Sequence, residues 1–192
     1  SLTDFTVVDI GKEQALPAGR VKDGGKAIRF GLNAIKNVGA AALEFILKAR
    51  KDEPFSSFSD FLNKVNLQKV NKKVIESLIK VGAFDRFGQR TALLAYLPQA
   101  RDAATKLAKE RLSGQTSLFG SAEKSIKDLK DNVPEVEEAP LSEILKNEKE
   151  LLGVYLTGHP IKALSAQIRN RLTHKLNQLD KNMNGQSVSV AG

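Results

Sequence analysis

Apolar and polar residues alternate from Phe5 to Ile10 and again from Ala27 to Phe30, with the turn-prone pair Gly24-Gly25 between them. A period of two sends successive side chains to opposite faces, so both stretches are expected to be short strands. From Leu32 the period lengthens. Leu32 and Ile35 make a short apolar face, Asn37-Val38-Gly39 supplies a turn, and Leu43, Ile46 and Leu47 resume at helical spacing as far as Arg50. That is helix, tight turn, helix. After Pro54, Ser57 is placed to cap a helix carrying Phe58, Phe61, Leu62 and Val65 at i, i+3, i+4 and i+7. Asn71 can cap the next, buried along Val74, Ile75, Leu78 and Ile79 and ended by Gly82 in the left-handed conformation. Past the loop Ala83 to Gly88, a long helix is expected on Leu93, Tyr96, Leu97, Ala100, Ala104 and Leu107. Pro98 should kink it, because the ring removes a backbone donor.

Between Ser113 and Pro140 the composition changes to Ser, Gly, Glu, Lys and Asp with two prolines, and Leu118-Phe119 stands out as an apolar pair. This stretch reads as a flexible linker. Leu141, Ile144, Leu145, Leu151, Leu152 and Tyr155 then form a helical stripe, expected to stop at Gly158 and Pro160, and Ser187 to Val190 alternates like a strand cut short by the end of the chain. A further domain is expected beyond Gly192.

Composition narrows the chemistry. With 192 residues and 41% apolar side chains the chain can bury a core. It has no cysteine and two histidines far apart in sequence, which leaves no disulfide, thiolate metal site or cysteine nucleophile and makes a histidine metal site improbable. No long uncharged apolar run and no leader-like amino terminus is visible, so no membrane partner and a cytoplasmic location are expected. The net charge of +8 is uneven: residues 1–115 carry +8, residues 116–160 carry −4 and residues 161–192 carry +4. A basic body followed by an acidic connector favours a polyanionic partner, although a well-solvated basic surface would show the same balance.

The turn at Lys36 to Gly39 carries the sharpest chemistry. Apolar helix ends flanking a Gly-apolar-Gly turn make a helix-hairpin-helix, in which the second helix begins pointing outward. Its free N–H groups, from Val38 through Gly39, Ala40 and Ala41, and the positive end of its dipole can hold a phosphate without reading a base. Small residues at Ala40 and Ala41 let the phosphate approach. Asn37 stands where glycine is usual, and asparagine tolerates positive φ better than other side chains. An ordinary antiparallel helix pair is the competing reading. A second candidate hairpin centres on Gly82, with Arg86, Gln89 and Arg90 near the next helix. Lys72, Lys73 and Lys80 on the helix before it are either a phosphate-facing stripe or a solvated face.

Three long segments, Ile28 to Gly39, Lys69 to Asp85 and Glu148 to Pro160, together resemble the alpha subunit of bacterial DNA polymerase III, a replicative C-family polymerase, in the family's order and spacing. The resemblance implies a fragment of a mainly α protein: a tandem helix-hairpin-helix bundle with short β-strands at the N-terminus and a truncated strand at the C-terminus. Residues 1–30 would end the fingers, 31–112 form the tandem hairpin domain, 113–140 the linker, 141–186 a helical connector and 187–192 the first strand of an oligonucleotide-binding barrel. Within the linker, Gln115-Thr116-Ser117-Leu118-Phe119 resembles the peptide by which these polymerases bind the sliding clamp. Leu118 and Phe119 would enter an apolar pocket, or else pack back on the helices; Thr116 departs from the leucine of strong versions. The implied partners are primer-template duplex, the clamp and other holoenzyme subunits. The catalytic aspartates and their Mg2+ belong to absent domains, so this fragment is expected to be non-catalytic and without a cofactor of its own.

Two rivals remain. A helix-hairpin-helix DNA glycosylase would place an aspartate about where Asp60 falls, though an exposed carboxylate early in a helix is also explained by the dipole. A purely protein-binding scaffold is the other. A lone histidine in a Gly-His-Pro turn after a helix, as at His159, is more often a structural hydrogen bonder than a catalyst, and neither His159 nor His174 is assigned a role.

Overall fold

The computed structural model describes residues 4–9, 26–51, 53–112, 131–160, 172–174, 178–180 and 183–190. Strand β1 (Thr6–Asp9) pairs antiparallel with β2 (Lys26–Arg29), with Val7 opposite Ile28. Both expected strands therefore form. Phe5, Val7 and Ile28 are exposed, so the ribbon contributes little to the core.

The helices that follow are α1 (Ala40–Ala49), α2 (Phe58–Lys64), α3 (Lys72–Lys80), α4 (Arg90–Leu112) and α5 (Leu141–Leu152). Their starts and stops are chemical. Ser57 Oγ accepts from the N–H of Asp60 at 3.0 Å, and Asn71 Oδ1 accepts from Val74 at 3.0 Å, each satisfying a first-turn donor that the helix cannot. At the end of α3, Gly82 adopts φ 81°, its N–H donates to Ile79 and that of Ala83 to Leu78, both at 2.9 Å. This double closure from a left-handed glycine is the Schellman motif.

One apolar core unites these elements. Phe58, Phe61, Leu62, Val70, Ile75, Ile79, Leu93 and Leu97 are almost fully buried. Phe84, on the turn after α3, presses its ring against Phe61 at 4.7 Å and Phe58 at 5.2 Å between centroids. Each such side chain contributes about 1.5–3 kcal/mol on leaving water. The turn between α3 and α4 is thus fixed from inside.

Four expectations change. The arm before the first turn is a single 3-10 turn, Leu32–Ala34, because the Lys36 N–H donates across the molecule to the Leu151 carbonyl at 2.9 Å instead of back along its own helix. Helix α5 stops at Gly153, φ 77°, five residues before Gly158. Residues 131–140, the last ten of the stretch read as a linker, are neither helix nor strand and lie against the helices as a strap, anchored through Asp131 and Glu138 and with Val133 packed on the core. Ser187 to Val190 forms no strand. Ser189 exchanges hydrogen bonds with Thr173 instead. Helix α4 runs through Pro98 as one element. Among the described residues no helix is long and apolar enough to cross a membrane.

Candidate nucleic-acid interface

The first turn has the expected geometry with one amendment. Asn37 holds φ 71°, the one non-glycine residue with positive φ among those described. Its Nδ2 donates to Ser77 Oγ at 3.0 Å, which ties the turn to the middle of α3. Val38 is buried, and its N–H donates to the Ile35 carbonyl at 3.1 Å. The set of free donors therefore shrinks by one. The N–H groups of Gly39, Ala40 and Ala41 have no acceptor among the described residues, and all three residues are exposed. A Cβ built on Gly39 meets nothing within 4 Å, so the space over these donors is open. Three bare donors at the positive end of a ten-residue helix make a surface suited to an anion.

The contact with Ser77 also sorts the lysines. Residues three or four apart share a helix face, so Lys73 and Lys80 bracket Ser77 beside the first turn. Lys72 lies on a different line and pairs with Glu76 at 3.6 Å. Lys36 and Lys73 are exposed, Lys80 is half-buried, and none of the three makes an ion pair among the described residues. Among the described residues no carboxylate pairs with the positive charge next to these donors.

The second turn is built differently. Arg90 stands at the start of α4, where it was expected to meet DNA, and is instead a tie rod with 12% of its side chain exposed. Its guanidinium reaches both Asp85 oxygens at 3.0 Å, Glu148 Oε1 at 3.0 Å, the Lys80 carbonyl at 3.1 Å and Thr157 Oγ1 at 3.2 Å. Gly82 makes room for that ion pair: a Cβ there would lie 2.3 Å from Arg90 Nη2 and 2.6 Å from Asp85 Oδ2. Gly82 thus serves both the left-handed turn, at φ 81°, and the space for the ion pair. Glu148 is fully buried on α5 and also accepts from the N–H groups of Leu156 at 2.7 Å and Thr157 at 2.9 Å and from the Thr157 hydroxyl. Burial pushes its carboxyl pKa up, but the Thr157 and Leu156 donors and Arg90 outweigh it and hold the group below the usual range.

The amino end of α4 is occupied as well. Glu138, from the strap, accepts from the N–H groups of Arg90 at 2.8 Å and Thr91 at 3.0 Å and from the Thr91 hydroxyl at 2.6 Å. At the other end of the strap, Asp131 accepts from Phe58 at 2.7 Å and Ser59 at 2.8 Å at the start of α2. Two carboxylates of the acidic connector therefore sit on two helix starts. Of the remaining residues expected at the second turn, Gln89 and Arg86 are exposed, and the Arg86 guanidinium lies 5.0 Å from the Phe87 ring centroid.

Asp60 is only 6% exposed, contrary to the exposed carboxylate expected at that position. It accepts from the Ser56 N–H at 2.9 Å and pairs with Lys64 at 3.0 Å. Burial pushes its pKa up, and those two partners more than offset the effect, leaving it lowered. A carboxylate committed to a helix cap is poorly placed for base-release chemistry. Among the described residues no three acidic or histidine side chains converge as they would around a metal ion. His174 Nδ1 lies 3.0 Å from Thr173 Oγ1, and His159 meets the Tyr155 ring edge-on at 5.5 Å. Gln115, Thr116, Ser117, Leu118 and Phe119 lie outside the described residues.

Sequence reasoning missed Glu138, Asp131 and Glu148. Glu148 could have been found, since it interrupts the buried stripe of α5 between Leu145 and Leu151.

A bare helix start behind a tight turn, backed by a second helical pair, defines a helix-hairpin-helix protein, and the family model described as a helix-hairpin-helix motif matches residues 1–93. The chain is 43% identical over 148 residues to DNA polymerase III subunit alpha of Campylobacter jejuni, a match that covers 77% of this chain and 12% of the relative. It is 38% identical over 174 residues to that of Vibrio cholerae, covering 90% and 15%, and 44% identical over 140 residues to that of Thermus aquaticus, covering 71% and 11%. The chain belongs to the DNA polymerase III alpha-subunit family, and it spans between 11 and 15% of the length of these relatives.

Proposed function

We propose that this chain is the duplex-gripping segment of a DNA polymerase III alpha subunit and serves chromosomal replication without catalysing nucleotide transfer itself. The observation that carries the reading is the donor set of Gly39, Ala40 and Ala41, without an acceptor among the described residues, beside Lys36, Lys73 and Lys80, which make no ion pair among them. Backbone donors and lysines contact phosphates, which are the same at every base pair, so the grip is independent of sequence. The DNA-directed polymerase chemistry and its Mg2+ belong to other parts of the parent protein. Gln115 to Phe119 is the proposed tether to the sliding clamp. In sequence it lies between the end of α4 and Asp131, which is anchored on the start of α2. Tethering of this kind converts a weak peptide contact into a persistent one, because the effective concentration reaches about millimolar. Other holoenzyme subunits would meet the parent around this segment, and its compartment is the cytoplasm.

The test is a salt titration of duplex binding on the whole chain and on Gly39→Val. Gly39 has φ −81°, and a Cβ there meets open space, so valine should fold normally while covering the donors. Wild-type affinity should fall steeply with salt and ignore base sequence. Gly39→Val should weaken it about tenfold, the equivalent of one charge-assisted hydrogen bond. Unchanged duplex affinity in Gly39→Val would refute the grip. Leu118→Ala with Phe119→Ala should abolish clamp binding and leave duplex affinity intact.

A further inference from the structure

A cavity of about 470 Å³ opens where the end of β2 meets the last turn of α1, the loop before α2 and the second turn. Its volume lies in the range of pockets that hold one small ligand. Its walls combine two kinds of residue. Phe30, Phe55 and Phe87 are half-buried, and Arg29, Arg50 and Arg86 are exposed at its margin, with the Arg86 guanidinium 5.0 Å from the Phe87 ring centroid and Phe5 edge-on to Phe30. None of these arginines makes an ion pair among the described residues. Three guanidiniums around one opening repel each other, and an anion relieves that repulsion. Aromatic rings below a cationic margin select a flat apolar body joined to a negative group. That description fits an unpaired nucleotide, with the base stacked on phenylalanine and the phosphates on arginine forks. A base inside a duplex keeps both faces against its neighbours and does not reach such a floor.

We infer that this cavity takes an unpaired nucleotide of single-stranded nucleic acid. The inference rests on the proposed grip only in naming the strand as DNA continuing from the held duplex. It differs from the grip in its chemistry, since the turn at Gly39 offers donors and charge but no ring to stack on.

The probes are fluorescein-labelled oligothymidylate and an abasic oligomer with the same number of phosphates, followed by anisotropy on the full chain. Stacking of one base on an aromatic side chain corresponds to roughly tenfold in affinity. Oligothymidylate should therefore bind about tenfold more tightly than the abasic strand. Phe87→Leu, which keeps the apolar volume but removes the ring, should erase that preference without changing abasic binding. Arg50→Gln should weaken both strands; it is exposed, so this arm survives if Phe87→Leu proves unstable on thermal melting. Equal affinity for the two strands, or no binding of either, would overturn the inference. So would an acidic, phenylalanine-containing peptide that displaces oligothymidylate at lower concentration than free oligothymidylate does, since that would make the cavity a protein-docking site. Gly39→Val should leave the base preference intact, so failure of the duplex grip and failure of this site are read separately.

Discussion

The two turns of this molecule use the same local device, a helix that starts just behind a tight turn, and present it in opposite states. At the first turn the N–H groups of Gly39, Ala40 and Ala41 face solvent with no partner among the described residues. At the second, the corresponding donors of Arg90 and Thr91 are closed by Glu138. The arginine that would have reached outward is drawn inward by Asp85 and Glu148. A helix start is an anion site only while nothing in the same chain supplies the anion. The second turn has been given one, so its present role is to hold the strap and α5 on the helical body.

The largest expected effect comes from breaking the closed side. Glu148→Ala leaves Arg90 largely buried without its inner partner and also strips an acceptor from Leu156 and Thr157. Breaking a buried pair from one side costs about 3–5 kcal/mol, measurable as a shift in the urea midpoint. In the wild type the Glu148 proton binds less readily in the folded chain than in the unfolded one. The ionised form therefore contributes stability that is present above the unfolded carboxylate pKa and is lost as pH falls through the depressed folded value. Asp60 and Glu138 are lowered too, and act in the same direction. Acid should unfold the chain cooperatively, and Glu148→Ala should flatten the acid limb of a stability-pH curve. An acid limb of unchanged steepness would mean that the closed side is held by packing alone.

Most of this contrast was hidden from the sequence, and the reason is physical. Caps and stripes are local: Ser57, Asn71, Gly82 and the apolar rows of α2, α3 and α4 report on neighbours within one or two turns, and these were legible. The turn at Asn37 was legible for the same reason, down to its positive φ. The partners of Arg90 lie 58 and 67 residues away at Glu148 and Thr157, and those of the α4 donors lie 47 and 48 residues away at Glu138. No periodicity records such a pairing. An acidic, proline-containing segment reads as a solvated linker until the donors that anchor it are known. The first helical arm was overestimated because its last donor goes to Leu151, on another element.

The next effect sharpens the comparison directly. Glu138→Ala should cost about 1 kcal/mol, as the loss of a helix cap does. It should also bare two donors and remove a negative charge from the second turn. The variant's duplex affinity should then fall more steeply with salt than that of the wild type, by about 0.9 in the log-log slope for one added phosphate. If the slope stays at the wild-type value while stability drops, the second turn is closed by shape as well as by charge, and the two turns were never equivalent.

The smallest effect concerns the open turn. Asn37 stands at φ 71° and returns a hydrogen bond to Ser77. Asn37→Gly removes the conformational cost but also the bond, and glycine adds entropy to the unfolded chain. These contributions oppose each other, so stability should change by less than about 1 kcal/mol. Asn37→Ala loses the bond and keeps the left-handed backbone, which a β-carbon resists by about 1–2 kcal/mol. It should be the less stable of the two variants in urea. Duplex affinity should be nearly equal in both, because the proposed phosphate donors begin two residues later at Gly39. If both variants lost duplex affinity, the rigidity supplied by the Ser77 bond, and not merely the bareness of the donors, would be what separates the first turn from the second.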